Sequence, residues 1–410
     1  MRGEANGRRG GAAARPRGVV LVAVAAVAIA VAAGGCAGGH PAIATGTASD
    51  TEPDPVELPP ACGDGDAAAG ELCFFALDPL PVPDQPTDLV VADLDRDGSD
   101  DVALASFGGT ARVFYGTGFG TFEESPLILP LIRPRGVAAL RRADDLPLDL
   151  AVADLGLGTL ALFRADAARS YASPKGATLG GKPRALASGD LDGDGDDDLA
   201  IANEDAGEVT IALLGGVDEA PALTSYAVGE EPYGVAIADL DGDGALDVVT
   251  ADRVSSTISI LRGAGDGSFD AAVARDASPD ARNLAIADLD DDGRLDVVTA
   301  GFMGALAILY GRGGDLEFTP RILDGGGALY GVAIGDLDHD GVADVIATDF
   351  GASEAVLFLE LDQESPRIER RWTSSAPFDV ALTDLNKDGA LDVLVVAAYG
   401  NAIDIFINDP

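Results

Sequence analysis

The residues of this chain best placed to do chemistry are aspartates, because they recur in one short pattern. The block Asp-Leu-Asp-x-Asp-Gly-x-x-Asp starts at Asp93, Asp190, Asp239, Asp288 and Asp336, and again at Asp384 with Asn386 in third place. Side-chain oxygens at positions 1, 3, 5 and 9, with a backbone carbonyl at position 7, make a compact oxygen cage of the kind Ca²⁺ takes. Glycine at position 6 permits the sharp bend. Four carboxylates in nine residues repel one another unless a cation joins them, so calcium is expected to stabilise the fold. The predicted ligands are Asp93, Asp95, Asp97 and Asp101; Asp190, Asp192, Asp194 and Asp198; and Asp239, Asp241, Asp243 and Asp247. They continue with Asp288, Asp290, Asp292 and Asp296; Asp336, Asp338, Asp340 and Asp344; and Asp384, Asn386, Asp388 and Asp392. Up to six ions are expected. Asn386 still offers an oxygen but removes one charge, so the sixth site is expected to bind more weakly. Cages closed by protein oxygens read as structural sites, not catalytic ones.

An EF-hand loop opens in the same way, but it needs Glu at position 12 and flanking helices. Here position 12 is Leu104, Ile201, Thr250, Thr299, Ala347 or Val395, each inside a β-type run, which excludes that reading. The whole composition leans the same way as the blocks. With 69 acidic against 27 basic residues, the net charge is −42. Such a surface repels nucleic acid and anionic lipid and attracts cations. Hydrophobic types make up 47%, enough for a large core, while 53 Gly and 23 Pro favour tight turns over long helices.

The elements that must hold the blocks follow from their spacing. The starts are 97, 49, 49, 48 and 48 residues apart, and the first gap is a double one. A degenerate copy fills it, from Arg141 to Asp149, followed by the same Leu-Ala-Val-Ala pattern that flanks intact blocks. Arg141 and Ala143 stand at its first two ligand positions, so this copy is expected to bind no metal. Seven units result. The unit around Asp239 reads as four short strands, with Gly234–Ala238 leading into the block and Asp247–Ala251 leaving it. Thr257–Leu261 and Phe269–Ala274 follow, separated by polar or Gly-rich turns. Four strands per unit without a helical period is the pattern of a propeller blade. After the last block only Asp392–Ala397 and Ala402–Asn408 fit. A spare strand, Cys73–Leu77, stands before the first block and is predicted to complete the last blade, so that no edge is exposed.

The fold class is therefore all-β: a seven-bladed β-propeller of four-stranded antiparallel blades, closed by an N-terminal strand. The blocks, the Gly267–Phe269 turn and the sevenfold period resemble the FG-GAP/VCBS repeats of integrin-α N-terminal propellers and their bacterial relatives. The resemblance covers roughly residues 73–410. It implies a calcium-binding propeller, and it says far less about function than about fold.

Residues 1–35 read as a signal peptide: a basic start, the apolar run Val19–Ala33, then Gly34, Gly35 and Cys36. The ending resembles a bacterial lipobox, with Ala33 where Leu is usual, and implies lipidation of Cys36. Simple secretion and an uncleaved anchor are the alternatives. Ala37 after the lipidated Cys would imply outer-membrane sorting, so the expected location is exported and lipid-anchored, at the bacterial outer membrane or cell surface. Residues 36–60, rich in Thr, Pro, Asp, Glu and Gly, read as a flexible tether. Cys62 and Cys73 remain as a pair in an oxidising compartment. Residues 61–73 are similar to a small disulfide loop found ahead of such repeats; two free thiols are the alternative.

In a propeller the loops joining strands 1 and 2 lie on one face, and those joining 4 to 1 and 2 to 3 lie on the other. The blocks take the first face. Six residues before each block stand Thr87, Arg135, Arg184, Tyr233, Arg282, Tyr330 and Phe378, which would ring the opposite mouth. Arg and aromatic side chains there suit an acidic peptide or a sugar; equally, they could only cover the channel end. Phe107, Asp205, Arg253, Phe302, Phe350 and Tyr399 would extend this face.

The expected role is a surface binding or adhesion module for a protein or glycan, monomeric, touching the membrane only through its lipid and binding no nucleic acid. A structural envelope lipoprotein without a soluble ligand is the second reading. A polysaccharide-acting enzyme using carboxylates is the third. The repeats leave no room for a catalytic domain after the tether, and the two His, His40 and His339, sit in the tether and at a non-ligand position of a block. The chain is therefore not expected to be an enzyme.

Overall fold

A computed structural model of the chain describes residues 72–408 except 124–125, 144–145, 216–219 and 313–315. The predicted signal peptide, the tether with Cys36, and Cys62 lie outside the described residues. Of the proposed disulfide pair, only Cys73 is described, buried just before the first strand.

Seven antiparallel sheets follow one another along the chain. The sheet around Asp239 shows the plan: Pro232–Ala238 innermost, then Asp247–Asp252, Thr257–Leu261 and Val273–Asp276 outermost. The first three strands stand where the sequence places them. The fourth does not: the expected Phe269–Ala274 is replaced by Val273–Asp276. Phe269 makes only an isolated bridge to Gly263 and packs edge-on against Tyr226, 5.6 Å between ring centres. The outermost strand is largely exposed, so no buried face pins its register.

The second strand of every blade is buried throughout, which explains its continuous apolar character and the absence of alternation. Apolar side chains from neighbouring blades meet in seven clusters, one at each seam around the ring. Inner strands approach closely. At Gly136 an added Cβ would lie 2.7 Å from the carbonyl oxygen of Arg184 in the next blade, so any larger residue would push the seam apart.

Closure occurs as expected. Phe74–Ala76 pairs antiparallel with Ala402–Asn408, in the register Phe74 to Asn408, Phe75 to Ile407 and Ala76 to Phe406. Leu80–Pro81 adds a second short pairing to the same strand. The closing seam is also packed: Val82, Leu89, Val91 and Leu104 from the start of the ring meet Leu385, Leu394, Val396 and Ile403 from its end. The last strand is tied down by Asn408, whose side chain donates to the Leu337 carbonyl at 2.8 Å.

Candidate metal centres and the ring mouth

Each block joins the innermost strand to the second, and its backbone is held by its own aspartates. In the block at Asp239, Gly244 N–H donates to Asp239 at 3.0 Å, Asp243 N–H to Asp241 at 3.1 Å, and Ala245 N–H to Asp243 at 2.8 Å. Gly244 has φ +94° and open space where a Cβ would sit, so its glycine is required by backbone conformation and not by crowding. The ninth residue acts as a strap. Asp247, fully buried, accepts Leu240 N–H at 3.0 Å through one oxygen and Gly263 N–H at 2.9 Å through the other. Asp101, Asp198, Asp296 and Asp392 repeat the double contact.

These backbone contacts draw the carboxylate oxygens of each block together. In five blocks three carboxylate oxygens lie within 4.8 Å of one another: Asp93, Asp95 and Asp101; Asp190, Asp192 and Asp194; Asp239, Asp241 and Asp247; Asp288, Asp290 and Asp296; Asp336, Asp338 and Asp344. Several converging atoms are buried without any hydrogen-bond partner: one oxygen of Asp93, and one each of Asp336, Asp338 and Asp344. A buried acceptor left unsatisfied is costly. A set of hard, unpaired oxygens is what a divalent cation satisfies, so the blocks fit a metal ion. The sixth block keeps the same turn, with Asp388 N–H donating to Asp384 at 3.0 Å and Asn386 at 3.1 Å.

Electrostatics agree. Burial first, then neighbouring aspartates, pushes the carboxyls of Asp101, Asp198, Asp296 and Asp392 up to about 7, Asp247 to about 6 and Asp344 to about 8. Each is a carboxyl whose charged form burial and its neighbours disfavour.

The opposite mouth gathers the predicted ring. Arg184 lies 3.3 Å from the centre of the Tyr233 ring, donates to the Tyr330 hydroxyl at 3.2 Å and pairs with Glu204 at 2.6 Å. Arg282 pairs with Asp280 at 3.1 Å and lies over Phe302 at 3.9 Å. The hydroxyls of Tyr233 and Tyr330 meet, and Phe378 packs edge-on against Tyr330, 4.4 Å between centres. Thr87 instead hydrogen-bonds the carbonyls of Ala105 and Arg135. Tyr233 and Tyr330 are buried, so they close the channel more than they offer a surface. Phe302, Phe350 and Tyr399 continue the aromatic arc, as expected. Asp205 pairs with Lys182 and Arg253 with Glu231.

A family model described as FG-GAP-like repeat matches residues 190–250, 239–299 and 288–347. Residues 190–347 carry three FG-GAP-like repeats. No curated protein matches it. Among solved structures it is similar to BBS1N in complex with ARL6DN, soaked with mercury, at 12% identity and TM-score 0.58, covering 82% of this chain and 96% of that one. It is also similar to a functionally unknown protein from Desulfotomaculum acetoxidans DSM 771, at 12% identity and TM-score 0.50, covering 70% of this chain and 89% of that one. Likeness at this identity shows the fold alone. The FG-GAP match supports a general role as a binding module.

Three features of the ring escaped the sequence. The degenerate repeat pairs its buried carboxylate with arginines: Asp149 receives Arg142 at 3.3 Å and Arg164 at 2.7 Å. Its loop is further tied to the next blade, Arg141 N–H to Asp197 at 2.7 Å and Ala143 N–H to Asp196 at 2.8 Å. An extra hairpin, Ala165–Ala167 with Ser170–Tyr171, carries Arg169 at its tip. Arg169 contacts Asp95, and reaches Asp97 at 3.1 Å and Glu123 at 2.7 Å, placing a guanidinium against the first block. Finally, Asp88 and Asp379 meet below the mouth. Burial raises Asp88 to about 6; burial and the Asp88 charge raise Asp379. Two carboxyls this close titrate as a pair and not independently. Each sits one residue after a ring position, but only closure brings the two together.

Proposed function

We propose that this chain is a calcium-stapled binding module held outside the cell by a lipid on Cys36, with the mouth opposite the Asp blocks as its ligand face. The observation that carries the reading is the difference between the two ends of the ring. Clusters of aspartate oxygens converge at one face, several without a partner, while Arg135, Arg184 and Arg282 gather with Tyr233, Tyr330 and Phe378 around the mouth at the other. In this reading calcium occupies up to six blocks and fixes the turns from which the second strands start. A ring with its edges closed then presents the mouth rigidly to a protein or glycan. One neighbour in fold, BBS1N, is seen in complex with a protein, ARL6DN, which agrees with a protein-binding ring. The reading includes a Cys62–Cys73 disulfide beside the closing strand, a monomeric state, no nucleic-acid partner and no enzymatic activity.

A second reading, a structural envelope protein without a soluble ligand, is favoured by the self-paired state of Arg184 and Arg282 and the burial of Tyr233 and Tyr330. Screening the protein on glycan and surface-protein arrays, with and without calcium, tests both. Ligand capture that is lost on combined Arg135→Ala, Arg184→Ala and Arg282→Ala substitution supports the binding module. Unchanged capture removes the mouth as its ligand face. Turnover of a polysaccharide in the same screen would establish the enzyme reading.

A further inference from the structure

We propose that the mouth docks an acidic protein segment and receives its carboxylate between Arg133 and Arg135. The inference rests on the mouth being the binding face and names the chemistry of its ligand. The guanidinium carbons of Arg133 and Arg135 lie 4.2 and 5.5 Å from the centre of one ring, Phe107. Arg135 also lies 5.4 Å from the centre of Phe378. Among the described residues, neither forms an ion pair with a carboxylate, whereas Arg184 and Arg282 each hold one. In a chain with 69 acidic and 27 basic residues, two adjacent arginines held on an aromatic ring without a salt-bridged carboxylate are a departure that a ligand would explain. Buried Asp88 lies near enough to attract Arg135, so the exposed Arg133 is the more available of the two.

The position is built. Asp154, fully buried, accepts Ile132 N–H at 2.8 Å and Arg133 N–H at 3.2 Å, and the Arg133 carbonyl accepts Leu155 N–H at 3.1 Å. The Arg133 stem lies over Gly156, where an added Cβ would come within 3.1 Å of it. A fixed backbone and a packed stem leave the exposed guanidinium little freedom to lose on binding.

The surroundings select a peptide over an acidic glycan. A carboxylate approaching a surface this acidic feels its repulsion only within about a Debye length, ~8 Å at physiological salt, and gains no long-range attraction. Affinity must then come from contact. Leu157, Met303 and Tyr399, exposed by 60%, 71% and 61%, stand at the tips of turns on this face and offer apolar area that peptide side chains cover and a uronate does not. The remaining rings of the arc pack edge-on or tilted against one another, so no open flat face is left for stacking a sugar.

The test is fluorescence anisotropy of the full-length chain with a labelled octapeptide of alternating glutamate and leucine. An alternating lysine–leucine peptide and an oligogalacturonate serve as comparison probes. The expected result is saturable binding of the acidic peptide alone, weakened at least tenfold by Arg133→Ala with Arg135→Ala and several-fold by Leu157→Ser with Met303→Ser, at unchanged melting temperature. No binding of the acidic peptide, equal binding by the arginine variant, or equal binding of the lysine peptide overturns the proposal. Should the oligogalacturonate bind and lose affinity in the arginine variant while the peptide does not bind, the mouth stands as the ligand face and only the acidic-peptide inference falls. If neither probe binds and array capture also ignores Arg135, Arg184 and Arg282, the binding-face reading falls with it.

Discussion

Asp344→Asn should shift the stability of this ring in opposite directions with and without calcium. Asp344 is fully buried; one oxygen accepts Leu337 N–H at 2.9 Å and the other has no partner. Burial, then the charges of Asp338, Asp340 and Asp336, pushes its carboxyl up to about 8 from 3.8. A carboxyl whose folded pKa is raised stabilises the fold below its unfolded pKa, and that contribution is lost as pH rises through the folded value. At about 1.4 kcal/mol per pH unit, the metal-free ring loses roughly 5 kcal/mol at this residue between pH 4 and pH 8. Asn keeps an oxygen for Leu337 and carries no charge, but its amide N–H groups must be buried at a cost of about 1–3 kcal/mol. In chelator at pH 8 the variant should therefore gain about 2–4 kcal/mol. With an unfolding entropy near 0.7 kcal/mol per degree for a ring of this length, that is about 3–6 °C in melting temperature. In calcium the same change removes a charged ligand, and the melting temperature should fall by several degrees. Melting followed by circular dichroism in both buffers reads the difference. An equal loss in both would make Asp344 a hydrogen-bonding strap only and refute the reasoning.

The other straps should set the pH profile. Because Asp101, Asp198, Asp247, Asp296 and Asp392 are likewise raised to about 6–7, the melting temperature in chelator should fall as pH rises from 5 to 8, and in calcium it should not. A flat profile in chelator would contradict this. Asp379→Asn keeps the buried position beside Asp88 neutral at every pH, so the loss of melting temperature that ionising Asp379 causes as pH rises should be smaller in the variant; parallel pH profiles for variant and parent would contradict this. Arg169→Ala removes the guanidinium from the first block. The metal-free protein should melt lower and bind calcium more tightly at that one block, by calorimetry; unchanged calcium affinity would mean Arg169 does not compete there.

What the sequence made legible and what it hid divide along one physical line. Every blade meets the same packing problem, so the solution repeats. The block, the buried second strand and the inner-strand entry could be read by period, even through the degenerate copy, where Leu150–Ala153 kept the pattern after the ligands were lost. Closure was legible because one strand was missing at one end and spare at the other. Residues that serve a single blade have no period to reveal them. The hairpin carrying Arg169 is such an insertion. Glu204 and Asp280, which neutralise two of the ring arginines, lie on irregular connections. Arg133 precedes the aligned ring position by two residues, so only its nearness to Arg135 marks it in the sequence. The outermost strand was misplaced for a different reason: with little of it buried, sequence alternation does not report its register.

In the proposed reading, the aspartate clusters hold this fold as cation sites. Calcium titration calorimetry on chelator-stripped protein, followed by melting of the loaded and stripped forms, tests this most directly. Five or six bound ions per chain and a melting temperature that rises by many degrees on loading are predicted. No heat of binding, together with superimposable melting curves, would contradict it.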